Sequence, residues 1–407
     1  MTIAAIDIRQ VRISRTLTIF RFSLLIVAIA GALISFKKLP RFVIPLIAAI
    51  ISYSSGAATL PELKVTYKLL LDPLAFLLAI VPLAFLLDTL GFFKEISKII
   101  SSRKRIIGGL WIFASIITAT CNLDAAVVLL TPIYVNVAKS HDADPVAVGM
   151  IPAICAQVAS SFLPISNLTN LIGVQKTGIS PIVFFEHMSL PGLSATLISW
   201  FAYTKFVKPI KAKNVEKVKY DKSIVIVGCV VVFALLVGFV FGPSFGVKAF
   251  EVALAGDLFL ILYLRKIPIK TLPIGTTLLA LSLAILSISL LNPFHLGFLV
   301  DASTPYLTLR TIFTVGAASN LINNLPATML SVHLLSPHAT TALYATLIGA
   351  NMGPFLLNIG SLSWLLWLAI MKNVGIKVSL KDTSRIGILV VGPAFLISSI
   401  VLVLITF

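Results

Sequence analysis

The chain has 407 residues, of which 58% are hydrophobic and only 12% charged, and its formal net charge is +17. Soluble domains run nearer roughly 45–50% apolar and about 25% charged. No water-facing core hides this much apolar surface, so lipid must be the solvent. The Lys and Arg excess falls in short clusters between apolar runs, the pattern of cytoplasmic membrane loops. No basic, aromatic-interleaved patch is present, so nucleic acid is not an expected partner.

A bilayer core needs about 20 apolar residues per crossing helix. Arg9, Arg12, Arg15 and Arg21 open the chain with no convincing small-residue cleavage site after them, so residues 1–18 read as an N-terminal segment and not as a removable signal. Candidate spans follow near 19–36, 41–58, 70–92, 106–137 and 181–204, then near 223–242, 248–264, 271–292, 306–334 and 384–406. Two apolar stretches, 146–176 and 340–371, are left over. Residues 145–175 hold no Asp, Glu, Lys or Arg, yet Pro164, Ser166, Asn167, Thr169 and Asn170 crowd their middle. The run is long for one crossing and short for two, so a re-entrant hairpin is expected, its broken backbone buried in protein or lining a cavity. A second hairpin is expected with its tip at Asn358-Ile359-Gly360-Ser361-Leu362-Ser363.

With the N-terminus outside, 22 of the 32 Lys and Arg fall in inside loops 37–41, 94–105, 205–222, 265–270 and 372–385. The expected fold is an all-α polytopic protein of the inner cell membrane with about ten transmembrane helices. Residues 19–207 and 223–407 form two five-span repeats of inverted topology, joined by the basic linker 208–222. Each repeat holds a broken helix and a re-entrant hairpin, an architecture of secondary transporters. The repeat shows in the residues. Asn122-Leu123-Asp124-Ala125 parallels Asn324-Leu325-Pro326-Ala327, and Ile165–Ile172 parallels Ile359–Leu366, at offsets of 202 and 194 residues.

Asp124 is the only formal charge between Ile106 and Ala138. A carboxylate at membrane depth costs several kcal/mol unless compensated, and such groups serve as proton carriers or cation ligands. Breaks are expected at Asn122 or Asp124 in the fourth span, and at Pro326 in the ninth, since proline removes a backbone donor. Half-helix ends meeting at midplane would build a polar cage. Its candidate residues are Asn122, Ser166, Asn167, Thr169, Asn170, Asn320, Asn323, Asn324, Ser361 and Ser363, although such side chains also glue membrane helices together. Cys121 neighbours the cage and suits either a thiophilic ligand or simple packing. Asp88 flanks the third span as an accessory proton group, as does Asp72, and Asp257 lies within the seventh. The three cysteines, Cys121, Cys155 and Cys229, show no CxxC spacing, and no metal site is expected. The motifs GxxxxGK[ST], HExxH and GxSxG are absent, so neither catalytic residues nor a cofactor are expected and the chain is not read as an enzyme.

Residues 122–133 (NLDAAVVLLTPI), Ser166–Asn170, Ser319–Ala327 (SNLINNLPA) and Gly360–Trp367 together resemble the arsenical-pump membrane protein family of the ion transporter superfamily, and Leu87–Phe93 is similar to that family's third-span ending. The family more often has Asn directly before the Asp, where this chain has Leu123. The resemblance implies export of arsenite or antimonite, in exchange for protons or as the membrane partner of a soluble ATPase, with Asp124 as the coupling carboxylate. The expected partners are thus a small inorganic solute, protons and membrane lipid, with an ATPase and a homodimer left open. Related sodium-coupled dicarboxylate carriers show Ser-Asn-Thr at both tips, where this chain has Ser166-Asn167-Leu168-Thr169 and no Asn at the second. A sodium-proton antiporter or organic-anion carrier on the same scaffold, and a passive channel, are the competing readings.

Overall fold

The computed structural model describes residues 2–33, 39–102, 105–207, 219–290, 300–336, 339–356 and 360–407. Asn358 and Ile359 of the expected second tip, and residues 208–218 of the basic linker, lie outside these. The described residues form helices and no strand. The first half holds α1 (Thr2–Leu33), α2 (Val43–Ser54), α3 (Leu60–Leu90), α4 (Phe92–Ser101), α5 (Ile106–Cys121), α6 (Leu123–Ser140), α7 (Pro145–Gly149), α8 (Ile151–Val158), α9 (Leu168–Thr177) and α10 (Pro181–Phe206). The second holds α11 (Lys222–Phe241), α12 (Ala249–Leu264), α13 (Ile274–Ser289), α14 (Pro305–Ile322), α15 (Asn324–Leu334), α16 (Thr340–Met352), α17 (Leu362–Asn373), α18 (Leu380–Ile386) and α19 (Gly392–Thr406).

Six helical stretches among the described residues are long and apolar enough to cross a bilayer by length and composition alone. Exposed Ile19, Phe233, Leu262 and Leu404 turn outward from α1, α11, α12 and α19, as a lipid-facing surface requires. Local chemistry sets the helix ends. Thr59 and Glu62 form a reciprocal capping box at the start of α3, and Gly91, at φ 90°, ends it in a conformation that costs glycine little.

The chain folds back at other places than the charge-free runs suggest. α5 and α6 lie antiparallel, and the Tyr134 hydroxyl donates to the Leu110 carbonyl at 2.6 Å, the two residues being equally far from Asn122. The apolar run 106–137 is therefore a helical hairpin with its tip at Asn122, not a broken crossing. Residues 146–176, expected as the hairpin, instead run antiparallel to α10 along its length. Tyr203 donates to the Ala147 carbonyl at 2.6 Å near one end. Gly192 faces Ser161 and Phe162 midway, and Ser180 makes the turn at the other end. α16 and α17 form the matching broken helix. It runs antiparallel to the first: Gly173 of α9 packs on Leu343 and Leu347, and Trp367 Nε1 donates to the Gly149 carbonyl at 2.6 Å. Apolar length cannot separate two helix arms buried in protein from one long crossing, which explains the exchange.

The break expected at Pro326 also moves. The chain reverses at Asn323, with φ 74° and ψ 152°, and Pro326 sits in the first turn of α15, where its missing N–H would have no helical partner anyway.

Glu95 of α4 joins the halves. This largely buried carboxylate accepts from Lys98 Nζ at 2.6 Å and from the Asp221 backbone N–H, ahead of α11, at 3.1 Å. The Lys98 bond is the main reason its carboxyl is held below the usual range. A depressed carboxylate stabilises the fold above its unfolded value, about 4.3, and that contribution fades as pH falls through the folded value. Glu95→Gln is expected to lower the melting temperature in detergent at pH 7, with the gap to wild type closing in acid. The chain path has its own test. Single cysteines placed at Asp142 and at Ser180, in a background lacking the three native cysteines, should react with impermeant reagent from opposite membrane faces; labelling from one face would restore the hairpin at 146–176.

Candidate functional site

Four second half-helices begin at one place. Asn122 caps α6, Asn167 caps α9, Asn323 caps α15 and Ser361 caps α17. Asn122 and Asn323 share nearly the same dihedral angles, φ 77° with ψ 146° and φ 74° with ψ 152°. That region is populated almost only by glycine, and a non-glycine residue there costs on the order of 1–3 kcal/mol. Each asparagine recovers part of this cost as a cap. Asn122 Oδ1 accepts from Asp124 N–H at 3.0 Å, and Asn323 Oδ1 accepts from Leu325 N–H at 3.2 Å. The other two caps are extended, at φ −148° for Asn167 and −137° for Ser361. The second hairpin touches the second broken helix directly, through Asn324 N–H to the Gly360 carbonyl at 2.9 Å.

With α1 and α13 these four ends enclose a cavity of about 60 Å³. Asp124, Asn167, Thr169, Asn323, Asn324, Ser361 and Ser363 line it, beside Thr276 and apolar side chains of α1 and α13. No Lys, Arg or His is among the described lining residues. Asp124 is the second residue of α6, where the helix N-terminus favours negative charge by about 0.3–1 kcal/mol. Its Oδ1 is buried without a hydrogen-bond partner, and it joins no ion pair among the described residues. A second cavity, of about 510 Å³, reaches the same break from another side, touching Leu163, Pro164 and Ile165 and extending to the Asp72–Lys248 ion pair at 3.1 Å.

A citrate transporter family model matches residues 24–371, most of the chain. The chain belongs to that family. It is also 25% identical over 393 residues to the arsenical pump membrane protein of Escherichia coli K12, covering 86% of this chain and 90% of that one. A protein of the same name from Yersinia enterocolitica is 25% identical over 396 residues, with the same coverage. The resemblance carried by residues 122–133, 166–170, 319–327 and 360–367 is thus borne out across nearly the whole chain. Membership of the family makes the protein a secondary transporter, and the helices with these bacterial relatives make it a multi-pass protein of the inner membrane.

In this citrate transporter family member the other expected cage residues stand behind the cavity wall. Ser166 Oγ donates to the Ala119 carbonyl at 2.9 Å, tying the first break to the first hairpin. Asn170 Nδ2 donates to the Ser160 and Leu163 carbonyls at 2.7 and 3.0 Å. Asn320 Nδ2 bridges the Gly316 and Gly353 carbonyls at 2.9 and 2.6 Å. Cys121 is fully buried behind Asn122, and Asp88 is exposed at the end of α3, so neither lines the cavity. Asp257 is buried in α12 with an unpartnered Oδ1, also away from it. No group of three His, Cys, Asp or Glu among the described residues is placed to hold a metal ion.

Two polar residues escaped the sequence reading. Gln157 Nε2 reaches Ser361 Oγ at 3.3 Å and Ser363 Oγ at 2.9 Å, across from one half to the other. In return, Asn351 Oδ1 accepts from Asn167 Nδ2 at 2.9 Å and Thr169 Oγ1 at 2.7 Å. The offset that relates Asn167 to Ser361 also relates Gln157 to Asn351. That spacing was the available signal.

The hairpin tip makes an ordered prediction. Asn122→Gly relieves backbone strain but loses the cap, whereas Asn122→Ala loses the cap and keeps the strain. The glycine variant should be the more stable by roughly 1–3 kcal/mol in denaturant unfolding. Equal stability of the two would remove the strain from the account.

Proposed function

We propose that the protein exports arsenite and antimonite across the inner membrane in exchange for protons. Asp124 carries the proton, and Asn167, Thr169, Asn323, Asn324, Ser361 and Ser363 surround the solute. The observation that carries this reading is a single uncompensated carboxylate in a small cavity otherwise lined by amides, hydroxyls and apolar groups. Arsenite is largely uncharged near neutral pH and offers hydroxyls, which such groups bind without a counter-charge. An uncharged solute moves uphill only when coupled to another flow, and one buried carboxylate suffices to carry a proton. The names of the relatives support the same substrate.

The path through the membrane fits alternating access. We read the halves as an inverted-topology repeat of five crossings each, supported by the matched dihedrals of Asn122 and Asn323 and by the antiparallel broken helices. The small cavity borders the end of α1 and the start of α13, next to the basic segments 37–41 and 265–270, which is the cytoplasmic side under the positive-inside bias. The larger cavity lies across the first break, on the route outward.

A sodium-coupled carboxylate carrier is the second reading. Four convergent helix N-termini attract anions, and the family description names citrate. Against it, citrate would meet Asp124 as a like charge with no Lys or Arg in the described lining.

Everted vesicles with an imposed proton gradient separate the readings. Wild type is expected to accumulate arsenite, an uncoupler to abolish the accumulation, and Asp124→Asn to fail at normal expression. Accumulation by the variant equal to wild type would remove Asp124 as carrier. Sodium-dependent citrate movement without arsenite movement would select the second reading.

A further inference from the structure

The direction of the hydrogen bonds behind Thr169 can be traced to a fixed origin. Carbonyl oxygens only accept, so Asn170 must turn Nδ2 toward the Ser160 and Leu163 carbonyls. Its Oδ1 then faces Asn351, whose Nδ2 donates to it at 2.7 Å. This leaves Asn351 Oδ1, an obligate acceptor, turned toward Asn167 Nδ2 and Thr169 Oγ1. A threonine hydroxyl has one proton. Thr169 spends it on Asn351, at 2.7 Å, and so presents only lone pairs to the cavity it lines. Asp124 lines the same cavity, and its buried Oδ1 has no partner.

We propose that Asn351 is a positioning residue that holds Thr169 as a hydrogen-bond acceptor, and that the site thereby selects an uncharged, hydroxyl-bearing solute over a carboxylate. The inference rests on the export reading above and narrows its substrate class. A hydroxylated solute donates to Thr169 while taking the second hydrogen of Asn167 Nδ2 on an oxygen. A carboxylate brings acceptors alone and sets lone pair against lone pair at Thr169. One unmet hydrogen bond in a buried site is worth about tenfold in affinity. Gln157 holds the equivalent place opposite Ser361 and Ser363, but its Oε1 has no partner and nothing fixes the direction of that bond. The selection is therefore assigned to the Asn351 side.

The test uses full-length protein in proteoliposomes, with arsenite as solute and succinate, a dicarboxylate without a hydroxyl, as competitor. Thr169→Val is expected to raise the arsenite KM about tenfold at near-constant kcat, with Thr169→Ser close to wild type. Asn351→Leu frees the Thr169 proton, so arsenite KM should rise and succinate should begin to compete. Asn351→Asp keeps the acceptor toward Thr169, and as the neutral acid it donates to Asn170 Oδ1 in place of Nδ2, so it should retain wild-type selectivity between the two solutes. On the Thr169→Val background, Asn351→Leu should add no further rise in KM, because it acts through Thr169. If it raises KM as much there as in wild type, or leaves the arsenite-to-succinate preference unmoved, Asn351 is only structural and the proposal falls while the export reading stands. If wild type moves citrate and ignores arsenite, the export reading falls and takes the proposal with it. Loss of folding in Asn351→Leu, seen by size exclusion, leaves the Thr169→Val and Asn351→Asp results to decide the matter.

Discussion

Backbone N–H and C=O groups at membrane depth have no water to turn to, and the rest of this structure follows from how four breaks, two hairpin tips and two interrupted helices, meet that demand. Each interruption exposes first-turn N–H groups at the start of a half-helix. Asn122, Asn167 and Asn323 satisfy some of them with their own side chains. Ser166, Asn170 and Asn320 satisfy the carbonyls left behind on neighbouring segments. Asp124, which lines the small cavity, keeps a buried oxygen without a partner.

The division of labour among the polar residues follows from that constraint. Neighbours in sequence take opposite duties. Thr169 lines the cavity, while Asn170, one position on, points back to two carbonyls and fixes the hydrogen-bond chain. Asn323 and Asn324 line it, while Asn320, about one helical turn earlier, ties α14 to the segment after α16. Asp124 differs from them in having a fully buried oxygen with no partner. Uncompensated charge placed at a helix N-terminus, in a wall of neutral groups, is an arrangement that selection for stability alone would not keep.

Much of this was legible in the sequence. The polar runs Ser166–Asn170 and Ser319–Asn324 stood out because lipid-bathed helices have little other use for such density, and both proved to lie at the convergence point. Their spacing to Ser361 and Asp124 exposed the internal correspondence. The chain path was less legible. Hydropathy measures how apolar a run is, not whether it doubles back, and the reversal at Asn122 depends on a backbone conformation that asparagine only rarely adopts. Pro326 drew attention as a breaker because proline usually is one, yet at the first turn of α15 it is harmless. Gln157 and Asn351 were missed because each stands alone in an apolar helix, and their partners belong to the other half of the chain.

Those two residues bear on how the molecule is made. Asn351 meets Thr169 across 182 residues, and Gln157 meets Ser363 across 206. When the ribosome has delivered the whole first half, its interrupted helix still lacks the acceptor for Asn167 and Thr169, and Gln157 still lacks its hydroxyls. Neither half can reach its finished state alone, and the order of synthesis obliges the first to wait in the bilayer for the second. Through this exchange the two halves of the chain become a single folding unit.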